Sequence, residues 1–437
     1  MTAVRWTLAF AGLCLFLPTS LSSAQDLTPA RQPLSPDVLL LARIKARAAE
    51  NLRRLPNYTC TQTIERSRRG AKARKFEPLD TLRLEVALVE GKELFSWPGA
   101  GKFEEKGIGE IVGSGGAIGN GSFALHAKSV FLSHAPTFTH VGETTLNGRP
   151  AIRYDYRIPQ MLSGYQIRIG PNQALVEYHG SFWVDADSLD LIRLEVHADN
   201  PPPNLNLTEA SDTMEYQRAR IGGGDFLLPQ SSELLMIDLV GNASRNRTQF
   251  SACRQYAGES KLSFVESSPD VAAAAPTPQV KPIQLPAGLT VEVRLQTPIQ
   301  SGRSATGDLV TALVGRDVKK NGQIVAPKGA VLTGRITRLE KRKGDQDYCI
   351  VGLDFSTIEF DNRRGEFRAT LQDSGLVQTS RGVQGRGRGT VQRQMIDDDF
   401  PDASPATGSV FVIRTSRVSL PRGHSMLWRT QLWRAPE

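Results

Sequence analysis

GSFWVDADSLDLIRLEVHAD, residues 180–199, reads as two strands around an acidic turn. On the second arm Ile192, Leu194 and Val196 alternate with Arg193, Glu195 and His197. A period of two with one apolar face marks an antiparallel strand lying on a core. The same period extends in both directions. In LDTLRLEVALVEGKELFSW (79–97), Leu82, Leu84, Val86 and Leu88 alternate with Arg83, Glu85 and Ala87, and Glu90-Gly91 turns into the next strand. THVGETTLNGRPAIRYDYRIP (139–159) is a hairpin about Asn147-Gly148, and further strands are expected at 211–221, 226–240 and 246–265. Residues 35–266 thus predict an antiparallel sheet with one apolar face.

That face needs a cover. SPDVLLLARIKARAAENLRRL (35–55) predicts a helix, capped by Ser35 with Pro36 at its first position, and Leu40, Leu41, Ile44, Ala48 and Leu52 form its apolar stripe. A second helix is expected over 121–132, with Phe123, Ala127, Val130 and Phe131 as its apolar face.

The stretch before it, GIGEIVGSGGAIGNGSFALHAKS (107–129), poses the question of phosphate binding. A P-loop needs Gly-Lys-Ser/Thr at the helix start, and here Ala127 precedes Lys128. Gly119-Asn120-Gly121-Ser122-Phe123-Ala124 fits a dinucleotide fingerprint by letters, but its surroundings are antiparallel rather than βαβ. No nucleotide or other cofactor is expected. Gly113, Gly115, Gly116, Gly119 and Gly121 read instead as a hinge into a helix that covers an apolar groove, with a plain chain reversal as the alternative.

Other chemistry is sparse. The chain has no GxSxG elbow, no CxxC and no HExxH, and His126, His134 and His140 are not at metal-ligand spacing. No catalytic or metal site is expected. ERSRRGAKARK (65–75) carries six Lys or Arg residues between two strands. It reads as a solvated hairpin tip, or more sharply as an anion-binding patch. Asp397-Asp398-Asp399 and the Gly385–Gly389 Arg-Gly run fall in polar loop text, and no nucleic acid is expected.

The first residues, MTAVRWTLAFAGLCLFLPTSLSSAQ, match a secretory signal peptide cut after Ala24, so 1–24 are assigned to export and no transmembrane span is expected in the mature chain. The formal net charge of +8 becomes 52 − 45 = +7 once Arg5 leaves with the leader, and a basic exported protein can meet anionic lipid, polysaccharide or nucleic acid, with plain solubility as the alternative reading. Export permits a disulfide. Cys60 and Cys253 sit in strand-like text at the two ends of the sheet domain, and a bond between them would staple its first and last strands. Cys349 reads as a buried apolar residue. SSPDVAAAAPTPQVKP (267–282) is a linker. Residues 283–437 return to short strands and tight turns, including Asn321-Gly322, with a mobile loop at about 374–408. This spacing predicts a small closed barrel.

Residues 35–265 resemble the bacterial lipoprotein-sorting carrier superfamily, the lipoprotein-localisation proteins. The resemblance is carried by the helix followed by LPNYTCTQTIERSRR, by GSFWVDADSLDLIRLE, and by late strands ending in FSACRQYAGESKLSF. It implies a half-open antiparallel barrel that holds acyl chains beneath covering helices. Residues 283–437 resemble the small β-barrel of conjugative-transfer (type IV secretion) core proteins through LPAGLTVEVRL, TGDLVTALV and IVAPKGAVLTGRI. The expectation is therefore a mainly β, exported, non-catalytic envelope protein, periplasmic or outer-membrane associated. Its first domain would bind a lipid or a lipoprotein acyl chain, and its barrel would contact envelope proteins. A structural or assembly component without a small ligand is the alternative, and an unrecognised hydrolase ranks last.

Overall fold

The alternating stretches fold as strands in a computed structural model that describes residues 34–100, 103, 108, 121–169, 172–256, 281–343, 346–376 and 409–432. Helix α1 spans Pro36–Arg53, with Ser35 Oγ accepting the Val38 N–H (3.4 Å) and Pro36 at the helix start. Strands β1 (Tyr58–Arg69), β2 (Glu77–Val89) and β3 (Lys92–Ser96) follow, then the short helix α2 (Leu125–Phe131). Next come β4 (Thr137–Leu146), β5 (Arg149–Ile158), β6 (Gln166–Ile169), β7 (Asn172–Leu175), β8 (Glu177–Asp185) and β9 (Leu191–Asp199). Three long strands end this half: β10 (Leu207–Ile221), β11 (Gly224–Asp238) and β12 (Ala243–Gln255). Glu90-Gly91 and Asn147-Gly148 take positive φ at both positions and close the hairpins read from them.

Ten strands form one sheet in the order β3-β2-β1-β12-β11-β10-β9-β8-β5-β4, curled into a half-barrel. The first and last long strands meet, since β1 pairs with β12. Their register shifts between Thr59 and Thr61, where Ala252 takes φ 49°, and Cys60 and Cys253 are joined by a disulfide with Cα atoms 4.1 Å apart. The expected staple is present.

Two readings need correction. Ile192 does not share a face with Leu194 and Val196. A bulge sets Trp183 opposite Arg193 but Val184 opposite Leu191, which turns Ile192 onto Trp183 and Ala151 on the other face. The basic run at 65–75 is not wholly solvated either. Tyr58, Cys60, Gln62, Ile64 and Arg66 all point inward along β1, and the register sets Arg66 opposite Asp80. The guanidinium donates twice to that carboxylate, Nε to Oδ1 at 2.7 Å and Nη2 to Oδ2 at 2.5 Å, with both side chains buried.

The C-terminal strands are β13 (Lys281–Gln284), β14 (Thr290–Leu295), β15 (Ile299–Gln300), β16 (Leu309–Val314), β17 (Val318–Lys320) and β18 (Gln323–Ala326). They continue with β19 (Val331–Arg342), β20 (Tyr348–Phe360), β21 (Arg363–Glu366), β22 (Ala369–Asp373), β23 (Ser409–Ile413), β24 (Ser419–Leu420) and β25 (Ser425–Thr430). The main sheet runs β13-β21-β20-β19-β16-β14-β25-β22, with β23 on β20. Leu371 N–H donates to Ser409 Oγ where β22 comes round to β23, so the sheet wraps a core containing Val293, Leu332, Phe355 and Trp428. Cys349 is buried in it and unpaired, as read. Lys281 and Pro282, at the end of the stretch read as the linker, pair in parallel with Arg363 and Arg364. The signal peptide (1–24), the rest of the linker and residues 377–408 lie outside the described residues. No described helix is long and apolar enough to cross a membrane.

The two halves meet along β2. β3 pairs with β2 only from Glu85 onward, and Thr306 takes the edge before it. Thr306 N–H donates to Thr81 O (2.9 Å), and Arg83 N–H donates to Thr306 O (2.8 Å). At Gly307 (φ 103°) a Cβ would lie 2.1 Å from Arg83 O, so only glycine permits this approach. Ion pairs Arg83–Asp308 and Glu77–Lys343 flank the contact.

The disulfide has a sequence separation of 193 residues. A loop of that size corresponds to about 5 kcal/mol in the chain-entropy model. Cys60→Ala with Cys253→Ala is expected to lower the guanidinium midpoint by a large part of that amount. A loss below about 1 kcal/mol would show that the β1–β12 ladder alone closes the sheet.

Candidate functional site

The concave face of the ten-stranded sheet is covered by three separate pieces. Helix α1 places Ile44 and Ala48 on it, with Leu40, Leu41 and Leu52 partly buried beside them. Its position is fixed by Asp190 in the β8–β9 turn. That carboxylate accepts from Arg47 Nε (3.0 Å), Asn51 Nδ2 (2.9 Å) and Arg218 Nε (2.8 Å). The second piece is the segment from Phe123 through α2. The third is the β6–β7 hairpin, which places Ile167 and Val176 against Ala210, Leu234 and Met236. Sequence reading did not separate this hairpin, because four-residue strands are too short to show a period.

All four residues read as the apolar face of the second helix are buried, and they bridge two regions of the sheet. Phe123 packs on Tyr58 (4.9 Å between ring centroids) and Phe250 (5.1 Å), at the disulfide end. Ala127, Val130 and Phe131 pack with Tyr154, Tyr156 and Phe182 at the other end, the Phe131 and Phe182 rings lying 5.1 Å apart. Of the hinge glycines, Gly113, Gly115, Gly116 and Gly119 lie outside the described residues. Gly121 is described, with φ 100°, and a Cβ there would meet His126 Nε2 at 2.9 Å.

Helix α2 has no side-chain cap of its own, since Ala124 stands at that position. Glu93 of β3 supplies the cap from across the sheet. Its Oε1 accepts from the Ala124 N–H (2.8 Å) and the Leu125 N–H (3.1 Å), and its Oε2 accepts from the Gly121 N–H (2.9 Å). Burial pushes the Glu93 carboxyl up, while these N–H groups and Lys128 pull it down.

Between the apolar regions lies a polar patch that the sequence reading missed. Ala210, Asp212 and Met214 point inward along β10, so Asp212 sits on the core side. His126 approaches it from α2, with Nε2 3.8 Å from Oδ2. Tyr165 packs edge-on against His126 at 5.3 Å. Asp212 Oδ1, Tyr216 Oη, Tyr58 Oη and Gln62 Oε1 are buried and have no hydrogen-bond partner among the described residues. The curl brings these groups together. Glu93 and Asp212 stand five strands apart in the ladder, about 24 Å along a flat sheet, yet Asp212 feels the charge of Glu93. The only sequence signal was an Asp in phase with Ala210 and Met214 on an inward face.

Two solved structures are similar to the N-terminal region of this chain. A domain described as an outer membrane lipoprotein-sorting protein domain, from Vibrio parahaemolyticus, is 12% identical with a TM-score of 0.28, covering 51% of this chain and 94% of that one. A DUF1329 family protein from Desulfovibrio piger is 9% identical with a TM-score of 0.30, covering 51% and 95%. No protein-family model matches the chain, and no curated protein matches it. Likeness of this degree does not reach individual residues.

Burial, helped by the charge of Glu93, pushes the Asp212 carboxyl up to about 7, against the Thr213 N–H that it accepts. Burial lowers His126 to about 4. The folded chain therefore keeps a proton on Asp212 that the unfolded chain releases near 3.8, and this stability is lost as pH rises towards 7. His126 acts oppositely: its stability is present above about 6.5 and lost as pH falls towards 4. Between these limits the two slopes cancel. Asp212→Asn removes one of them, so the variant should gain stability as pH rises from 4.5 to 6.5 while the parent stays flat. By pH 8 the gain over the parent, relative to pH 4.5, should approach roughly 3 kcal/mol. Urea unfolding across this range checks it, and parallel profiles for parent and variant would refute it.

Proposed function

We propose that this protein is a non-catalytic envelope protein that binds an apolar ligand, a lipid or a lipoprotein acyl chain, in the concave groove of its N-terminal sheet. The observation that carries this reading is the nature of the cover. The apolar floor is shielded by pieces outside the sheet, and one of them is a seven-residue helix whose start is held by a single carboxylate. Helices this short are not stable on their own. Moving the segment from Phe123 through α2 aside uncovers Tyr58 and Phe250 at one end and Tyr154 and Phe182 at the other, two apolar regions suited to an alkyl chain with the polar patch between them. Each CH₂ buried there contributes about 0.8 kcal/mol. The chain is read as exported, with a secretory leader at 1–24. The C-terminal barrel is read as the part that meets other envelope proteins, a reading that rests on the motifs of its sequence alone, since the similar solved structures cover only the N-terminal region.

Mass spectrometry of gently purified protein is expected to show a co-purified long-chain amphiphile. Glu93→Ala removes the three bonds that hold the start of α2 and should speed uptake of an environment-sensitive acyl probe by about tenfold or more. Lipid-free protein that takes up no probe, in parent and variant alike, would leave the ligand-free assembly role in its place.

A further inference from the structure

We propose that the ligand held in this groove is a long-chain amphiphile with an uncharged, hydrogen-bonding head, of the acylglycerol kind, and that the groove rejects anionic and cationic heads. This rests on the carrier reading and adds the chemistry of the head. The polar patch lies beneath α2, where the apolar regions of the floor meet. Its groups come from separate elements: Tyr58 from β1, Asp212 and Tyr216 from β10, His126 from α2 and Glu93 from β3. A buried group without a partner costs more than a paired one. Tyr58 Oη, Tyr216 Oη and Asp212 Oδ1 are in that condition within a single patch, among the described residues.

The charge balance of the patch selects the head. His126 is neutral near pH 7, and Asp212 keeps its proton up to about 7. Both oxygens of the buried Glu93 accept N–H bonds from the α2 start, the bonding pattern of a carboxylate, although burial pushes its carboxyl up. What remains open to a ligand is two phenol hydroxyls and a carboxyl, which both donate and accept. A carboxylate or phosphate head entering here would meet the Glu93 charge in a low-dielectric setting and would drive Asp212 further towards its protonated form. An ammonium head would lose its hydration and find only hydroxyls and a protonated carboxyl in exchange. A hydroxyl or ester group meets neither penalty and satisfies the unpartnered oxygens.

The test uses the full chain and three probes of one chain length: a monoacylglycerol, the corresponding fatty acid and the corresponding alkylammonium, titrated at pH 6, where Asp212 keeps its proton. The monoacylglycerol is expected to bind about tenfold or more tightly than either charged probe. Tyr216→Phe should weaken the monoacylglycerol by several-fold and leave the fatty acid unchanged, whereas a purely structural role would weaken both alike. If that variant does not fold, the ranking of the three probes on the parent protein decides. Equal affinities, or a preference for a charged head, would overturn the head assignment while leaving the carrier reading in place. Failure of all three to bind would remove both.

Discussion

A curled sheet ten strands wide has an apolar inner face that it cannot shield by itself. The rest of the N-terminal half answers that constraint. Curling brings β3 and β10 within electrostatic reach across the hollow, but the floor still needs side chains from outside the sheet. Helix α1 meets the need as a permanent element: eighteen residues, capped by its own Ser35 and tied to Asp190 by two side chains. Helix α2 meets it differently. It has seven residues and no cap of its own, and it stays helical because the sheet lends it Glu93. The contrast between a self-sufficient cover and a dependent one is the main asymmetry of the fold.

The outer edge of the same sheet is managed with equal care. An unpaired strand edge invites wrong pairing. β2 is covered by β3 over one part and by Thr306 of the C-terminal half over the next. Because Gly307 lets the barrel backbone approach Arg83 so closely, the junction is a strand contact rather than a loose side-chain contact. The Arg66–Asp80 pair lies at the same end of the β1–β2 hairpin, where Glu340 and Arg342 of β19 add their charges to Asp80. A buried pair of this kind adds little stability when intact, but losing either partner strands the other charge. It therefore makes the hairpin end intolerant of change.

Local features of the fold were legible in the sequence. The alternation in β2, β9 and β10, the two-residue turns, Ser35 as the cap of α1 and the Cys60–Cys253 staple each depend on a few neighbouring residues or on a simple end-to-end relation. What escaped was set by distant partners. Ile192 alternates correctly as text, and only the pairing with β8 shows the bulge that reverses it. Arg66 looked solvated because its run is basic, while its burial follows from Asp80 on the next strand. Glu93 sits in an ordinary strand sequence, and nothing local reveals that it caps a helix more than thirty residues on. Asp212 left a faint mark, a carboxylate in phase with Ala210 and Met214, which the helix and sheet patterns around it outweighed.

That carboxylate is the least economical feature of the inner face. Tyrosine-to-phenylalanine changes at 58 and 216 and a leucine at 212 would keep the shape of the floor and remove three oxygens that find no partner there. Each such oxygen costs about 1–3 kcal/mol, a noticeable fraction of the roughly 5–15 kcal/mol that separates folded from unfolded domains. A floor serving only as a core would gain stability by losing them. Their grouping matters more than their number, because they converge from β1 and β10 beneath the one cover that lacks its own cap. Polar atoms scattered through a core reflect tolerance; polar atoms gathered under a dependent helix are the grouping that the proposed ligand site requires.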